Sequence, residues 1–167
     1  MKLLYSQKLI DQTVEKLGNK LTQDFEGSTS KKVFVGLLNG GFMFFSDLTK
    51  HINTPIECDL MRVKSYSGKK QGDIQITKDL ETPIKGKDVY VVDDIYDSGN
   101  TMNTVVSYLE LKKPNSISIV TLLTRDFSPI PKCPSYHGLI IKDEWVCGYG
   151  MDDSKGYMRN SPNIYEI

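Results

Sequence analysis

The chain has 167 residues, and 21 Lys and Arg balance 21 Asp and Glu, so its formal net charge is zero at neutral pH. This length allows a substantial core, and we expect a single domain over residues 1–167. The balanced charge counts against a protein built mainly to bind nucleic acid. The most apolar stretch, residues 33–45, is too short to span a bilayer. Three cysteines without C-x-x-C spacing predict reduced thiols in a cytoplasmic protein.

The N-terminal third predicts a helix and then a buried strand. Apolar residues at helical spacing predict a helix over residues 6–25, with Ser6 as the N-cap and Gly27 as the stop. Residues 33–38 are apolar without alternation, which is typical of a strand buried on both faces. Residues 39–41, Asn-Gly-Gly, follow before a second helix. This glycine pair either forms only a tight turn or lets the backbone approach a ligand.

The next segment predicts a strand and a polar connection. Residues 57–63 favour a strand, and residues 62–73 are polar, basic and rich in glycine. The pattern leaves two interpretations open. The connection is either a solvated hairpin or a lid that closes over a reactive intermediate and excludes water.

Residues 89–101 predict a strand, an acidic turn and a helix. A β-branched run over residues 89–92 leads into Asp93 and Asp94, and Asp97 follows three residues later. Ligands of parallel sheets bind beyond the carboxyl ends of the strands, so these acids fall where a ligand is expected. Neighbouring carboxylates suit Mg²⁺ or a pair of sugar hydroxyls. Asp97 is placed to act as a general base.

The start of the following helix predicts a phosphate site. The backbone N–H groups of residues 98–101 have no intrahelical acceptors, and the helix dipole favours an anion there. Gly99 permits positive φ and a close backbone approach. The alternative is an acidic turn with a plain helix cap at Asp97 or Ser98.

The C-terminal third predicts two strands, and it contains two residues, Arg125 and Trp145, whose roles the pattern alone does not decide. Residues 116–123 predict a strand that ends at Arg125, which either donates to a ligand carbonyl or pairs with Asp126 at the surface. Prolines mark an irregular connection before a strand at residues 136–141. The pattern alone favours a core position for Trp145.

Several motifs resemble those of one enzyme family. Residues 91–101, Val-Val-Asp-Asp-Ile-Tyr-Asp-Ser-Gly-Asn-Thr, resemble the phosphoribosyl-pyrophosphate motif of type I phosphoribosyltransferases. Residues 38–48 resemble the pyrophosphate loop of the hypoxanthine-guanine enzymes, in which the peptide before residue 39 can be cis. Trp145-Val146 resembles the position where those enzymes stack an aromatic residue on the purine, and residues 148–152 and 159–160 resemble their C-terminal signature. The resemblance implies an α/β fold with a parallel sheet flanked by helices and a small hood from the termini.

The resemblance also implies roles for the site residues, with Asp97 as the catalytic general base. The ribose and 5′-phosphate of phosphoribosyl pyrophosphate would be bound by Asp93, Asp94, Asp97, Ser98, Gly99, Asn100 and Thr101. Pyrophosphate would contact Leu38, Asn39, Gly40 and Arg159. The lid would carry Ser65 and Tyr66, and the purine would contact Arg125, Trp145 and Val146. Mg²⁺ would be held by Asp93, Asp94 and Asp152.

The implied activity is transfer of the 5-phosphoribosyl group to hypoxanthine or guanine in purine salvage, by a homodimer or homotetramer. Asn39 and Arg125 stand where the family usually has Lys. Xanthine is an open alternative base because an Asp-Asp pair also occurs in xanthine-guanine enzymes, whereas Arg125 offers only donors and so disfavours adenine. The alternative from another class is a regulatory protein on this fold that binds nucleotides or RNA without turnover.

Overall fold

The computed structural model describes residues 1–65 and 74–167. The strands within these residues are β1 (Lys2–Tyr5), β2 (Lys32–Leu38), β3 (Glu57–Ser65), β4 (Ile74–Lys78), β5 (Asp88–Tyr96), β6 (Ser116–Arg125), β7 (Ser135–Ile141), β8 (Val146–Cys147) and β9 (Ile164–Glu166). The helices are α1 (Gln7–Asp24), α2 (Phe42–Lys50) and α3 (Asn100–Glu110). In the part of the chain that the structure describes, no helix has the length and apolar character needed to cross a membrane.

Six strands form a central sheet in the order β4-β3-β2-β5-β6-β7. All neighbouring pairs are parallel except β3 and β4, which are antiparallel. Side chains alternate between the two faces of each strand, so Phe34 packs with α1 and α2, whereas Val33 and Val35 pack with α3. The sheet is therefore covered by helices on both faces, which confirms the predicted fold class.

A second sheet joins the two ends of the chain. It has the order β1-β9-β8, and both pairs are antiparallel. Lys2 lies opposite Glu166, and Val146 lies opposite the same residue on the other side. This sheet is the predicted small hood built from both termini.

Helix α1 follows from local sequence signals. The Ser6 side chain accepts a hydrogen bond from the Leu9 N–H, which caps the helix as predicted. The stripe of residues at helical spacing is buried against the sheet: Ile10, Val14, Leu17, Leu21 and, just beyond the helix, Phe25. The helix therefore packs one apolar face on the core and exposes the other.

Strand β5 is longer than the sequence pattern predicts. The prediction that it ends at Val92 is wrong, because the strand includes Asp93 and Asp94 and ends at Tyr96. Its pairing with β2 stops at Val92, but its pairing with β6 continues to Tyr96. The two acids therefore lie on a strand that is paired on one side and open toward the end of β2 on the other.

Candidate active site

Most of the predicted site residues line two adjoining cavities at the carboxyl ends of the parallel strands, whereas Leu38, Asn39, Ser65 and Asn100 line neither. The larger cavity has a volume of about 820 Å³, and its lining includes Gly40, Asp94, Asp97, Arg125, Trp145, Val146, Asp152 and Arg159. The smaller has a volume of about 210 Å³ and is lined by the β5–α3 segment, including Asp93, Asp94, Asp97, Ser98, Gly99 and Thr101. Both cavities are lined by Asp94 and Asp97. Their position agrees with the rule for ligand sites in parallel sheets.

The acid pair is half-buried, and backbone hydrogen bonds fix its geometry. The Asp94 N–H donates to Asp93 Oδ1 at 2.9 Å, and the Ile95 N–H donates to Asp94 Oδ1 at 2.7 Å. Burial and the adjacent Asp94 carboxylate raise the pKa of Asp93 well above its usual range. Burial also raises the pKa of Asp94, although hydrogen bonds with Asp93 and the Ile95 N–H and, to a smaller extent, the charge of Arg159 oppose this effect. A nearby cation that prefers oxygen ligands would stabilise the charged form of both carboxylates.

The loop after β2 requires glycine where it meets Asp94. A Cβ atom added at Gly40 would lie 1.9 Å from Asp94 Oδ2, so a side chain cannot fit without displacing that carboxylate. The Leu38–Asn39 peptide bond is cis, as the resemblance allowed. The backbone of this loop therefore lies directly against the acid pair.

The turn before α3 has the backbone geometry expected for an anion site. Gly99 has φ of +80° and is itself the N-cap residue of α3. The alternative prediction, a plain cap at Asp97 or Ser98, is wrong because glycine occupies the cap position. The Asn100 N–H donates to Ser98 Oγ at 3.3 Å, which holds the turn. Thr101 and the other first residues of α3 direct their N–H groups toward the start of the helix.

Arg125 is a buried residue of this site. Its Nε lies 2.9 Å from Asp97 Oδ1, and its Nη1 donates to the carbonyl oxygens of Lys142 at 2.7 Å and Glu144 at 3.1 Å. The Arg125 side chain is 8% exposed, whereas that of Asp97 is 55% exposed. The alternative prediction, a surface arginine paired with Asp126, is therefore wrong.

Trp145 lies on the cavity wall and not in the core. It is 74% exposed, so the core position favoured by its pattern is wrong. Its carbonyl oxygen accepts a hydrogen bond from the Ile167 N–H at 2.9 Å, and Val146 begins β8. The hood therefore fixes the backbone here and leaves the indole ring facing solvent.

Asp152 and Arg159 lie together on the wall that the hood provides. Arg159 Nη2 is 2.7 Å from Asp152 Oδ2, and Arg159 Nη1 donates to the Gly150 carbonyl oxygen at 2.7 Å. The Gly150 N–H donates to the Arg159 carbonyl oxygen at 2.9 Å. Arg159 is thus held firmly beside the acid that was predicted to bind a metal.

The predicted lid is described only at its base. β3 and β4 pair in an antiparallel manner up to Ser65 and Ile74, so they form the two arms of the connection. Ser65 is the last residue of β3, and Tyr66 lies outside the described residues. Both interpretations of this segment stay predictions.

Sequence reasoning missed other residues of the larger cavity: Ile95, Met151, Asp153, Ser154 and Ile167. Asp153 Oδ1 accepts hydrogen bonds from the N–H groups of Lys155 and Tyr157, both at 2.9 Å. These hydrogen bonds lower the pKa of Asp153, and the one from the Tyr157 N–H has the largest effect. An Asp three residues before Gly156 is a recognisable turn signal, but Ile167 carried no signal because its place depends on the hood.

The fold and the site agree with the comparisons with known proteins. The phosphoribosyl transferase domain model matches residues 2–154. Hypoxanthine phosphoribosyltransferase of Salmonella typhimurium is 40% identical over 157 residues, which cover 92% of this chain and 88% of that protein. Hypoxanthine-guanine phosphoribosyltransferase of Staphylococcus aureus is 39% identical over 165 residues, which cover 97% and 90%.

A solved structure gives the same result. The crystal structure of a hypoxanthine phosphoribosyltransferase from Staphylococcus aureus matches with a TM-score of 0.90 and 38% identity, covering 99% of this chain and 90% of that one. The chain belongs to the phosphoribosyltransferase family, in the branch of the hypoxanthine and hypoxanthine-guanine enzymes. The comparisons confirm the predicted enzyme class and give no support to the regulatory alternative.

Proposed function

We propose that the protein transfers the 5-phosphoribosyl group from phosphoribosyl pyrophosphate to hypoxanthine or guanine, giving IMP or GMP and pyrophosphate in purine salvage. The observation that carries this proposal is that the two cavities share Asp94 and Asp97. One cavity offers a phosphate turn and the other offers an exposed indole and a buried guanidinium. The names of the relatives point to the same bases.

The 5′-phosphate of phosphoribosyl pyrophosphate would bind the turn from Ser98 to Thr101. The N–H groups at the start of α3 and the helix dipole favour an anion there, and the long Asn100–Ser98 hydrogen bond would yield to a phosphate oxygen. Asp93 and Asp94 would accept hydrogen bonds from the ribose hydroxyls. Binding energy from the phosphate, which does not react, would then hold C1′ in place for the reaction.

Pyrophosphate would leave on the side of the Gly40 loop. The backbone of Gly40 lies beside Asp94, and Arg159 supplies a positive charge in the same cavity. Leu38 and Asn39 precede Gly40 in this loop and would offer their backbone groups. Arg159 has five N–H donors, so it can bind an oxyanion while it keeps its contacts to Asp152 and Gly150. Asn39 has no charge, so it adds no charge to the attraction that Arg159 provides for this group.

The acids of the site fit a magnesium ion. Asp93, Asp94 and Asp152 provide only oxygen donors, but among the described residues no three such side chains lie close enough together to form a metal site by themselves. Asp93 and Asp94 would therefore hold the ion together with oxygens from the substrate and water, and Asp152 would assist from the facing wall. Mg²⁺ binds through one or two carboxylates while it keeps water and substrate phosphate oxygens. When bound, it would neutralise the charge that develops on the departing pyrophosphate.

The purine would lie between Trp145 and the Arg125–Asp97 pair. Stacking on the exposed indole and hydrogen bonds to the backbone of Val146 would orient the base. Arg125 would donate to the 6-oxo group, and Asp97 would take the N7 proton as the purine nitrogen attacks C1′. Arg125 engages Asp97 through Oδ1, and the carboxylate has a second oxygen for this proton.

The remaining proposals follow the family by analogy. We infer a single catalytic domain over residues 1–167, a homodimer or homotetramer, and a cytoplasmic location. Xanthine is an alternative base. Adenine is disfavoured because it carries an amino group at the edge where Arg125 offers only donors.

Identification of the product tests the proposed function. The protein would be incubated with phosphoribosyl pyrophosphate, Mg²⁺ and hypoxanthine or guanine, and nucleotides would be identified by mass spectrometry. We expect the matching monophosphate and pyrophosphate in equal amounts. Binding of phosphoribosyl pyrophosphate without any nucleotide product would favour the regulatory alternative.

A further inference from the structure

A partly buried hydrogen bond joins the turn after β8 to α2. Tyr149 is 3% exposed, and its hydroxyl donates to Asp47 Oδ2 at 2.6 Å. Asp47 lies in the second turn of α2, and its Oδ1 pairs with Lys50 Nζ at 2.7 Å. Burial and the bond to Asp47 raise the pKa of Tyr149, so the phenol stays protonated and donates.

The same two segments meet a second time at the cavity. A Cβ atom added at Gly150 would lie 2.1 Å from the Gly40 carbonyl oxygen, so the two backbones are in direct contact. Gly150 has φ of +101°, and its own carbonyl oxygen accepts from Arg159 Nη1. The segment that precedes Asp152 therefore contacts α2 through Tyr149 and the loop before α2 through Gly150.

These two contacts connect the segment before Asp152 to the segment that carries Gly40. Gly40 lies just before α2, and Asp47 lies within that helix. Tyr149 and Gly150 lie just before Asp152 in the chain. Movement of the turn that follows β8, residues 148–152, relative to α2 would separate Asp152 and Arg159 from the Gly40 loop. It would leave Arg125 in place, because β6 and the carbonyl oxygens of Lys142 and Glu144 hold that residue.

We propose that Tyr149 and Asp47 form a positioning pair that sets the affinity of the site for the magnesium pyrophosphate portion of phosphoribosyl pyrophosphate. The pair touches no reacting atom and acts through Gly40, Asp152 and Arg159. This inference rests on the proposed function. A role in stability alone would lower the Tm of a variant and leave its ligand affinities unchanged.

Tyr149→Phe tests the pair because it keeps the ring and removes only the hydroxyl. Tyr136→Phe is the matched control, since the Tyr136 hydroxyl donates to Asp24 Oδ2 at 2.9 Å and this residue lines neither of the two site cavities. Calorimetry would give the Kd of magnesium pyrophosphate and of phosphoribosyl pyrophosphate with Mg²⁺. Loss of a residue that orients metal or anion ligands typically costs about 10-fold or more in affinity, so we expect about 10-fold weaker binding by Tyr149→Phe.

The KM for hypoxanthine would separate this effect from general damage. We expect that KM to change by less than about 2-fold in Tyr149→Phe, and we expect Tyr136→Phe to match the wild type in all three constants. Asp47→Asn keeps an acceptor oxygen and should fall between the wild type and Tyr149→Phe. It also provides the test if Tyr149→Phe does not fold.

Two results would overturn the positioning pair. One is a pair of variants, Tyr149→Phe and Asp47→Asn, that bind both ligands as the wild type does. The other is an equal loss for hypoxanthine and pyrophosphate, which would indicate general damage. A wild-type protein that binds phosphoribosyl pyrophosphate without turnover would refute the proposed function alone, because the ratios of Kd would still test the pair. A wild-type protein that binds neither ligand would refute both.

Discussion

The Nε atom of Arg125 lies 2.9 Å from Oδ1 of Asp97, so the proposed purine-binding cation and the proposed general base form one ion pair. The same guanidinium donates to the carbonyl oxygens of Lys142 and Glu144. These carbonyls lie just before Trp145 in the chain. The buried Arg125 side chain therefore links the end of β5 to the segment that presents the indole. In this way it aligns the proposed general base, Asp97, with the stacking surface of Trp145.

Replacement of Asp97 tests its role as a general base. Asp97→Asn keeps the size of the side chain but cannot accept the purine proton, and loss of a general base costs about 10²–10⁴-fold in rate. We expect kcat to fall in this range and the Kd of phosphoribosyl pyrophosphate to stay within about 2-fold. Asp126→Asn, one residue after Arg125, is the control and should keep full activity. Unchanged turnover in Asp97→Asn would remove Asp97 from the mechanism.

The planar fork of Arg125 predicts that lysine is a poor replacement. In Arg125→Lys a single ammonium cannot reach Asp97 and both backbone carbonyls in the same arrangement. A hydrogen bond to a charged group contributes about 1.5–3 kcal/mol, so we expect lower stability and a KM for hypoxanthine raised by about 10-fold. Steady-state kinetics and thermal unfolding check both effects. A variant that equals the wild type in both would contradict the linking role.

Trp145 offers a test of purine stacking that is free of folding effects, because its side chain is exposed. Stacking of a base on an aromatic ring is worth about 1–3 kcal/mol, so Trp145→Ala should weaken hypoxanthine binding by about 10–100-fold. Its Tm should change little. Tyr157→Ala is the matched control, since Tyr157 is 69% exposed and is not part of the cavity lining. Selective loss of phosphoribosyl pyrophosphate binding in Trp145→Ala would contradict its placement.

Much of the fold was predictable because its signals are local. The period of α1 and its Ser6 cap depend on neighbours in the chain, and Gly99 marks a turn that needs positive φ. The clustering of the site residues followed from one rule about parallel strands. These features require no knowledge of which strands are neighbours.

The remaining features depend on pairing between distant residues. The Arg125–Asp97 ion pair follows from the parallel register of β5 and β6, in which Tyr96 lies opposite Thr124 and the two charged residues come next. The sequence does not reveal that register. Likewise, the place of Trp145 depends on the pairing of β8 with β9, which is distant in the chain. A strand as short as β8 leaves no periodic signal in the sequence.

The raised pKa of Asp93 predicts that the acid pair lowers the folding stability of the protein at neutral pH. The pKa of Asp93 is higher in the folded than in the unfolded chain, so the folded state binds the proton more tightly. Stability due to this group is therefore greatest below the ordinary Asp pKa of about 3.9 and falls as the pH rises toward the raised value. Asp93→Asn keeps an acceptor for the Asp94 N–H and removes the charge.

We expect Asp93→Asn to be more stable than the wild type at neutral pH without Mg²⁺. A gain of about 1 kcal/mol would raise the Tm by about 2–4 °C in a chain of this size. The difference should vanish near pH 4, and the variant should bind phosphoribosyl pyrophosphate more weakly. Thermal unfolding across this pH range checks the sign. A variant that is less stable than the wild type at neutral pH would contradict the account of the acid pair.

Alanine substitutions at two glycines with positive φ distinguish the effect of backbone strain from the effect of contact with the Gly40 loop. Gly150 and Gly156 have φ of +101° and +84°, but among the described residues no atom lies within 4 Å of a Cβ added at Gly156. An alanine in this region costs about 1 kcal/mol in either case. Only Gly150→Ala also meets the Gly40 carbonyl oxygen, so it alone should lose affinity for magnesium pyrophosphate, by about 10-fold or more. Equal affinity in both variants would show that the contact with Gly40 does not shape the site.

The most direct test of the central claim is the release of pyrophosphate from phosphoribosyl pyrophosphate with Mg²⁺, measured separately with hypoxanthine, guanine, xanthine, adenine and no base. We predict release that requires Mg²⁺ and a 6-oxopurine, with hypoxanthine or guanine active and with no release above background for adenine or without a base. Release with no oxopurine, or equal release with adenine, would contradict the assignment of the site to 6-oxopurine transfer.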